Sequence, residues 1–147
     1  MKKWLVIIIT IFASTLLTAC TTVPMASSEE DAKAKTFSLP AKELSGIYIY
    51  RNSFVGTALR RSLYIDDKLI GETAPYTYFY RIIPAGKHKF STESEFGNND
   101  LNLETQGGKN YFIRQYIKFG VFVGGANLEV IPEEKAKAAI TKLKLAK

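Results

Sequence analysis

The chain has 147 residues, of which 46% are hydrophobic and 23% are charged, a composition typical of one globular domain. Its net charge of +6 is too small, and its lysines and arginines too dispersed, to predict nucleic-acid binding. A single cysteine excludes a disulfide within the chain, and a single histidine makes the common zinc-binding patterns impossible. We therefore expect neither a nucleic-acid partner nor a metal.

The first 19 residues have the features of a secretory signal. Lys2 and Lys3 precede an apolar run from Trp4 to Leu17, which is shorter than the roughly 20 residues that a membrane-spanning helix needs. The run ends in the letters LTAC, which place small residues directly before Cys20, as signal peptidases require. The sequence therefore predicts cleavage of residues 1–19.

The LTAC segment resembles the lipobox of bacterial lipoproteins, whose pattern it meets at all four positions. The resemblance implies a diacylglyceryl group on the thiol of Cys20, an N-acyl chain on its amino group, and no other cofactor. Two or three acyl chains on one residue make detachment from the membrane negligible on a cellular timescale. Because Thr21 rather than aspartate follows Cys20, the resemblance also implies the periplasmic face of the outer membrane.

Residues 20–44 are predicted to form the lipidated cysteine and a flexible tether. The segment from Thr21 to Pro40 is rich in serine, threonine, alanine and charge, and it shows no sustained periodicity. As a coil, 20 such residues would span roughly 25 Å, enough to clear the lipid headgroups.

Residues 45–147 are predicted to form a mainly β domain, an antiparallel β-sandwich of about seven strands with a short C-terminal α-helix. Apolar residues alternate with polar or tyrosine residues in seven short segments, and turn residues separate these segments. The segments are GIYIYR, RSLYID, PYTYFYRI, KHKFSTESEF, DLNLET, NYFIRQYIKF and NLEVI. In the fourth segment His88, Phe90 and Phe96 are predicted to share one face.

The C-terminal segment changes to a helical period. Ala136, Ala139, Ile140 and Leu143 fall on one helical stripe, and Pro132 suits the first helical position. The stripe is narrow and rich in alanine, so the helix is predicted to pack on the sandwich rather than to lie in a membrane.

The segment from Tyr64 to Phe90 resembles the PEGA-type module, a small β-sandwich unit of envelope proteins. The matching residues are Asp66, Gly71, Thr73, Pro75, Pro84, Gly86 and His88, whereas Asp67 and Ala74 depart from the pattern. The whole chain is similar to a group of uncharacterised bacterial lipoproteins catalogued as domain of unknown function two-eight-four-six. This resemblance implies a PEGA-like or prealbumin-like sandwich in the cell envelope, with no established activity.

Two stretches are candidate partner-binding surfaces. Tyr76, Tyr78 and Tyr80 form an alternating row, and tyrosine rows occur both at interfaces and in ordinary cross-strand packing. The stretch from Phe119 to Ala126, which includes Phe122, is the most apolar one outside the signal. The favoured interpretation of this stretch is a buried strand end and turn, and the alternative is a binding edge.

A catalytic set is hard to assemble from this composition. The hypothesis that follows is a non-enzymatic binding or structural module, held at the membrane by its lipid, with an envelope protein or peptidoglycan as partner. The alternative is a glycan-acting enzyme or inhibitor that uses Glu93, Glu95 and His88, and it predicts a cleft around those residues. A membrane-active protein is a third possibility, based on the basic C-terminal helix and the Phe119 stretch.

Overall fold

The computed structural model describes residues 23–122 and 124–147, so Cys20 and the lipobox lie outside the described residues. The elements in chain order are α1 (Ser28–Ala34), β1 (Leu44–Arg51), β2 (Arg61–Ile65), β3 (Lys68–Thr73), β4 (Thr77–Pro84), β5 (Gly86–Ser94), β6 (Gly97–Thr105), β7 (Lys109–Lys118), β8 (Gly125–Val130), α2 (Glu133–Ile140) and β9 (Lys144–Leu145). Among these residues no helix is long and apolar enough to cross a membrane.

The strands form two sheets, which confirms a mainly β sandwich with a short C-terminal helix. One sheet has the order β8-β7-β1-β4-β9, and the other has the order β3-β2-β5-β6. All seven predicted strands are present, and β3 and β9 complete the set of nine described strands. The larger sheet is mixed rather than purely antiparallel, because β1 is parallel to β7 and β4 is parallel to β9.

An inner core fills the space between the two sheets. Ile47 and Ile49 of β1, Phe79 of β4, Phe90 of β5 and Ile113 of β7 are each at most 1% exposed and belong to one hydrophobic cluster. Burying a side chain of this size contributes about 1.5–3 kcal/mol relative to leaving it in water. This cluster holds the two sheets together.

An outer core covers the other face of the five-stranded sheet. Tyr48, Tyr78 and Phe112 point away from the inner core and pack under the helices, against residues that include Ile140 and Leu143. Strand β1 is therefore buried on both faces, with isoleucines on the inner side and tyrosines on the outer side. The alternation in GIYIYR separates two apolar environments, whereas an alternating strand usually separates core from water.

The prediction of a flexible tether is wrong for residues 23–44. Val23 is 3% exposed and belongs to the inner core, and Met25 forms a β-bridge with Ala146. Helix α1 begins with a capping box in which Ser27 and Glu30 satisfy each other's backbone N–H groups. The S-x-x-E pattern of Ser27 and Glu30 in the sequence is the signal that could have predicted this helix.

Helix α1 is fixed to the domain mainly through Asp31. Its carboxylate accepts hydrogen bonds from the hydroxyl of Tyr78 at 2.8 Å, the backbone N–H of Leu145 at 3.0 Å and the Lys35 ammonium at 2.7 Å. Lys35 also donates to the carbonyl of Leu143. Burial raises the pKa of Asp31, but these hydrogen bonds outweigh it and leave that pKa below its usual value.

The sandwich has two ends of different character. The loop end carries the β1–β2 loop (52–60), the β3–β4 turn (74–76), the β5–β6 turn (95–96) and the β7–β8 loop (119–124). The turn end carries the short connections at 66–67, 85 and 106–108. At the turn end Asp66 and Asp67 both have positive φ, the conformation that two-residue hairpins require and that aspartate tolerates.

Candidate functional site

The loop end displays large apolar side chains in water. Within residues 23–122 and 124–147, every strongly exposed aromatic side chain lies at this end. The exposed fractions are 68% for Phe54, 49% for Tyr76, 80% for Phe96, 93% for Phe119 and 85% for Phe122, and Val121 is 78% exposed between the last two. Such a concentration on one end of a small domain is typical of an interaction surface.

This exposure corrects two expectations. The stretch beginning at Phe119 was expected to be a buried strand end, but among its described residues only Gly125 and Ala126, at its end, are buried. Phe96 was expected to share one face of its strand with His88 and Phe90. The turn instead comes at residues 95–96, so Phe96 projects from the tip of the hairpin.

Hydrogen bonds fix the backbone of the loops that carry these aromatics. The carboxylate of Glu95 accepts from the N–H of Val121 at 2.7 Å and from the N–H of Phe122 at 2.5 Å. The guanidinium of Arg61 donates to the carbonyl of Gly124. These contacts join the loops of the two sheets, so the phenylalanines extend from a supported backbone.

Arg51 organises the β1–β2 loop from inside. Its side chain is fully buried, and its guanidinium donates to the carbonyls of Leu59 at 2.7 Å, Val55 at 2.9 Å and Gly56 at 2.7 Å. Burial, together with the nearby Arg61, lowers the pKa of Arg51 from its usual value. Phe54 lies in the loop that these bonds hold.

The predicted tyrosine row is not one surface. Tyr78 is fully buried in the outer core, where its hydroxyl donates to Asp31, so it is unavailable to a partner. Tyr76 precedes β4 with a positive φ of 58° and projects at the loop end. Tyr80 is half-buried and stacks on Tyr48 with ring centroids 4.4 Å apart. Burial raises the pKa of Tyr48, Tyr78 and Tyr80.

Tyr80 lines a shallow, mostly apolar groove beside α1. Lys33, Leu39, Arg81 and Ile82 also line it. The guanidinium of Arg81 donates to the carbonyls of Tyr80 and Ile70 and lies over the ring of Phe79. Both of its terminal nitrogens therefore donate hydrogen bonds within the fold. The groove offers mainly apolar contact, and Glu30, Lys33 and Lys147 are among the polar residues that line it.

The residues of the proposed glycan site do not come together. His88 and Glu93 lie five residues apart on β5, which corresponds to about 17 Å along a strand. Both ring nitrogens of His88 are hydrogen-bonded, to Asp66 at 2.7 Å and to the carbonyl of Pro84 at 2.8 Å. Glu93 accepts from Ser62, and Glu95 holds the β7–β8 loop. The cleft that the enzyme alternative predicted is not formed by these side chains.

Asp66 has a structural position at the turn end. Its carboxylate accepts from the backbone N–H of Lys89 at 2.9 Å, and this bond, followed by the bond from His88, holds the pKa of Asp66 below its usual value. In the part of the chain that the structure describes, no three histidine, cysteine, aspartate or glutamate side chains cluster as metal ligands would.

Sequence reasoning missed Phe54 and Arg51. Phe54 lies in a loop with no periodicity, and a lone phenylalanine there carried no signal of exposure. Arg51 ends the alternating segment GIYIYR, where a charged residue normally marks the emergence of a strand into water. Its burial follows from the loop that folds back over it.

A family model and an uncharacterised relative both match this chain. An uncharacterised protein of Haemophilus influenzae (strain ATCC 51907 / DSM 11121 / KW20 / Rd) is 66% identical over 131 residues, which cover 89% of this chain and 78% of that protein. No solved structure matches the chain significantly. The family described as Protein of unknown function (DUF2846) matches residues 41–126, from just before β1 to the start of β8. This chain belongs to the DUF2846 family.

Proposed function

We propose that the protein is a bacterial envelope lipoprotein, anchored through acyl chains on Cys20, that presents a non-enzymatic β-sandwich as a binding or structural module. The observation that carries this proposal is the LTAC segment, which follows a basic and then an apolar stretch and ends in the chain's single cysteine. The proposed localisation is inferred from the lipobox pattern, and the periplasmic face of the outer membrane is the expected site.

The geometry of the domain is compatible with a binding role. The polar side chains that sequence analysis had singled out for chemistry are occupied by structural hydrogen bonds, as His88 and Glu95 illustrate. The features that remain available are the aromatic side chains of the loop end and the groove beside α1. Both offer apolar contact area, which suits association better than bond-breaking chemistry.

The anchor is tested by Cys20→Ala in the full-length chain. The wild-type protein is expected in the membrane fraction, with diacylglyceryl and N-acyl mass on a mature N-terminus that begins at Cys20. The variant is expected to lack this mass and to accumulate uncleaved or in the soluble fraction. Cys20→Ser is a matched control, since it keeps the side-chain size but removes the thiol that accepts the diacylglyceryl group. An unmodified wild-type Cys20 would contradict the proposal.

The module is tested by crosslinking the lipidated protein in its own envelope. The expected result is a specific envelope protein or peptidoglycan fragment that is recovered with the wild-type chain. Turnover of a cell-wall substrate by the purified protein would contradict a non-enzymatic role.

A further inference from the structure

The attachment point of the chain lies at one corner of the loop end. Val23 is buried in the inner core, and it lines a cavity together with Met25 and the β3–β4 turn, which contains Tyr76. Backbone N–H···O=C bonds from Lys147 to Pro24 and from Ala26 to Leu145 fix the segment on either side of Met25. The N-terminal segment therefore joins the domain at a fixed place.

The chain between that place and Cys20 is very short. Three Cα–Cα steps separate Cys20 from Val23, which is at most about 11 Å of extended chain. A lipid on Cys20 would consequently hold the domain against the bilayer, because no 20-residue tether lies between them. The surface around Val23 must then be close to the lipid headgroups.

The loop end, where Val23 lies at the corner beside β9, has side chains that suit a bilayer. The exposed aromatics of the loop end occupy the tips of separate loops, and aromatic rings favour the interface between headgroups and acyl chains. Convex, separated tips can insert into a fluid bilayer, whereas a folded protein partner would have to supply matching pockets for each. The short distance from Cys20 to Val23 and the position of the aromatic side chains both indicate that the loop end contacts the lipid bilayer.

Exposed lysines lie at this end of the domain, alongside the carboxylates of Glu72, Glu93 and Glu95. Lys142 and Lys144 line the cavity beside Val23 and are exposed, and neither forms an ion pair within the described part of the chain. Lys118 is exposed at the end of β7, next to Phe119. Basic side chains close to a membrane surface strengthen binding to negatively charged headgroups.

We infer that the loop end is a membrane-docking surface, in which Phe54, Phe119 and Phe122 enter the headgroup region of the bilayer that carries the anchor. This inference rests on the proposed lipidation of Cys20. It adds that the domain lies on the membrane in one orientation, with the loop end towards the lipid and the turn end towards the periplasm.

Environment-sensitive fluorophores can test this orientation in the lipidated full-length protein. Lipidation blocks the thiol of Cys20, so a thiol introduced by Phe122→Cys or Phe54→Cys is the unique labelling site. Lys87→Cys, at the turn end, is the matched control. The proteins are reconstituted into vesicles of phosphatidylethanolamine and phosphatidylglycerol, with or without lipids that carry quenching nitroxides.

We expect nitroxide lipids to quench the labels at positions 54 and 122 several-fold more than the label at 87, and aqueous iodide to show the opposite order. Equal iodide access at all three positions, with acyl mass present on Cys20, would overturn the docking surface and leave the anchor intact. Absence of acyl mass on Cys20 would overturn both. Shielding of position 122 from both quenchers in native envelopes would assign the surface to a protein partner and overturn the membrane assignment.

Discussion

The connections between strands differ in character at the two ends of the sandwich. At the turn end, polar side chains close short connections, as Asp66 does by accepting from His88 and from the backbone of Lys89. At the loop end, Arg51 bonds to backbone carbonyls from within, Glu95 accepts from backbone N–H groups near the surface, and phenylalanines project outwards. The comparison shows that polar side chains support the apolar surface of the loop end. At this end a charged residue is buried, whereas phenylalanines are exposed.

The largest expected effect on stability comes from removing the buried hydrogen-bond donor that supports the loop end. Arg51→Met should lower the free energy of unfolding by about 3 kcal/mol or more, because a buried charged donor that serves three half-buried carbonyls would be lost. Urea denaturation measures the loss, and limited proteolysis should show new cleavage within residues 52–60.

Arg114→Met is the matched control for this substitution. Arg114 forms a partly exposed ion pair with Glu129, which is expected to contribute about 0–1 kcal/mol. Equal losses in the two variants would mean that the Arg51 hydrogen bonds have no special importance.

The next largest loss of stability is expected when the attachment of α1 to the domain is weakened. This attachment is what distinguishes the N-terminal segment from a flexible tether. Asp31→Ala should lower the free energy of unfolding by about 2 kcal/mol, because Tyr78 and the N–H of Leu145 would lose a charged acceptor. Denaturation measures the stability, and amide hydrogen exchange should show faster opening of α1. Glu29→Ala, on the same helix, is the control and should change little; faster exchange in both variants would contradict a specific role of Asp31.

Asp31 also predicts a dependence on pH. Its pKa is lowered in the folded protein, so its contribution is fully present above the ordinary aspartate pKa of about 3.9 and is lost as the pH falls below that value. The wild-type protein should therefore lose more stability than Asp31→Ala during acid titration from neutral pH. Parallel titration curves for the two proteins would contradict this linkage.

A smaller effect is expected at the turn end. Asp66→Asn keeps a side chain that tolerates positive φ but removes the charge that accepts from Lys89 and His88. Because the Asp66 side chain is 48% exposed, the loss should be below about 1 kcal/mol at neutral pH. Thermal unfolding measures it, with the more exposed Asp67→Asn as the control. A loss comparable to that of Arg51→Met would show that the turn end is the more critical one.

The smallest effect on stability is expected where the apolar exposure is greatest. Phe119→Ser combined with Phe122→Ser should change the free energy of unfolding by no more than about 0.5 kcal/mol, since both rings are exposed. The same double variant should reduce nitroxide quenching of a label at position 54 in reconstituted vesicles. Phe112→Ala, in the outer core, is the contrasting control and should cost about 3–5 kcal/mol. A large stability loss in the double variant would mean that these rings serve the fold.

Much of the fold could be predicted because alternation and turn residues are local signals. The segments GIYIYR and NYFIRQYIKF became β1 and β7, but nothing in their alternation tells that the two strands are parallel neighbours. Strand β9 has two residues, too few for any pattern, and it exists because Lys144 and Leu145 pair with Thr77 and Tyr78. Pairing partners depend on contacts distant in sequence, which periodicity does not report.

The candidate surface could be predicted only in part. Phe119 and Phe122 were singled out by their apolar neighbours, but the same neighbours favoured burial. Tyr78 was considered both for a binding surface and for cross-strand packing, because alternation along a strand does not tell what covers each of its sides. In this protein α1 and α2 cover the outer face of the sheet, and α1 comes from the stretch that composition had assigned to a coil.

The pairing of residues 24–26 with residues 145–147 constrains the order of events during biogenesis. These backbone bonds join segments about 120 positions apart, so the edge of the larger sheet cannot close before residue 147 is available. Long-range contacts of this kind slow folding. On the proposed secretion route, a chain that emerges from the channel N-terminus first would close this sheet edge only after its last residues had emerged.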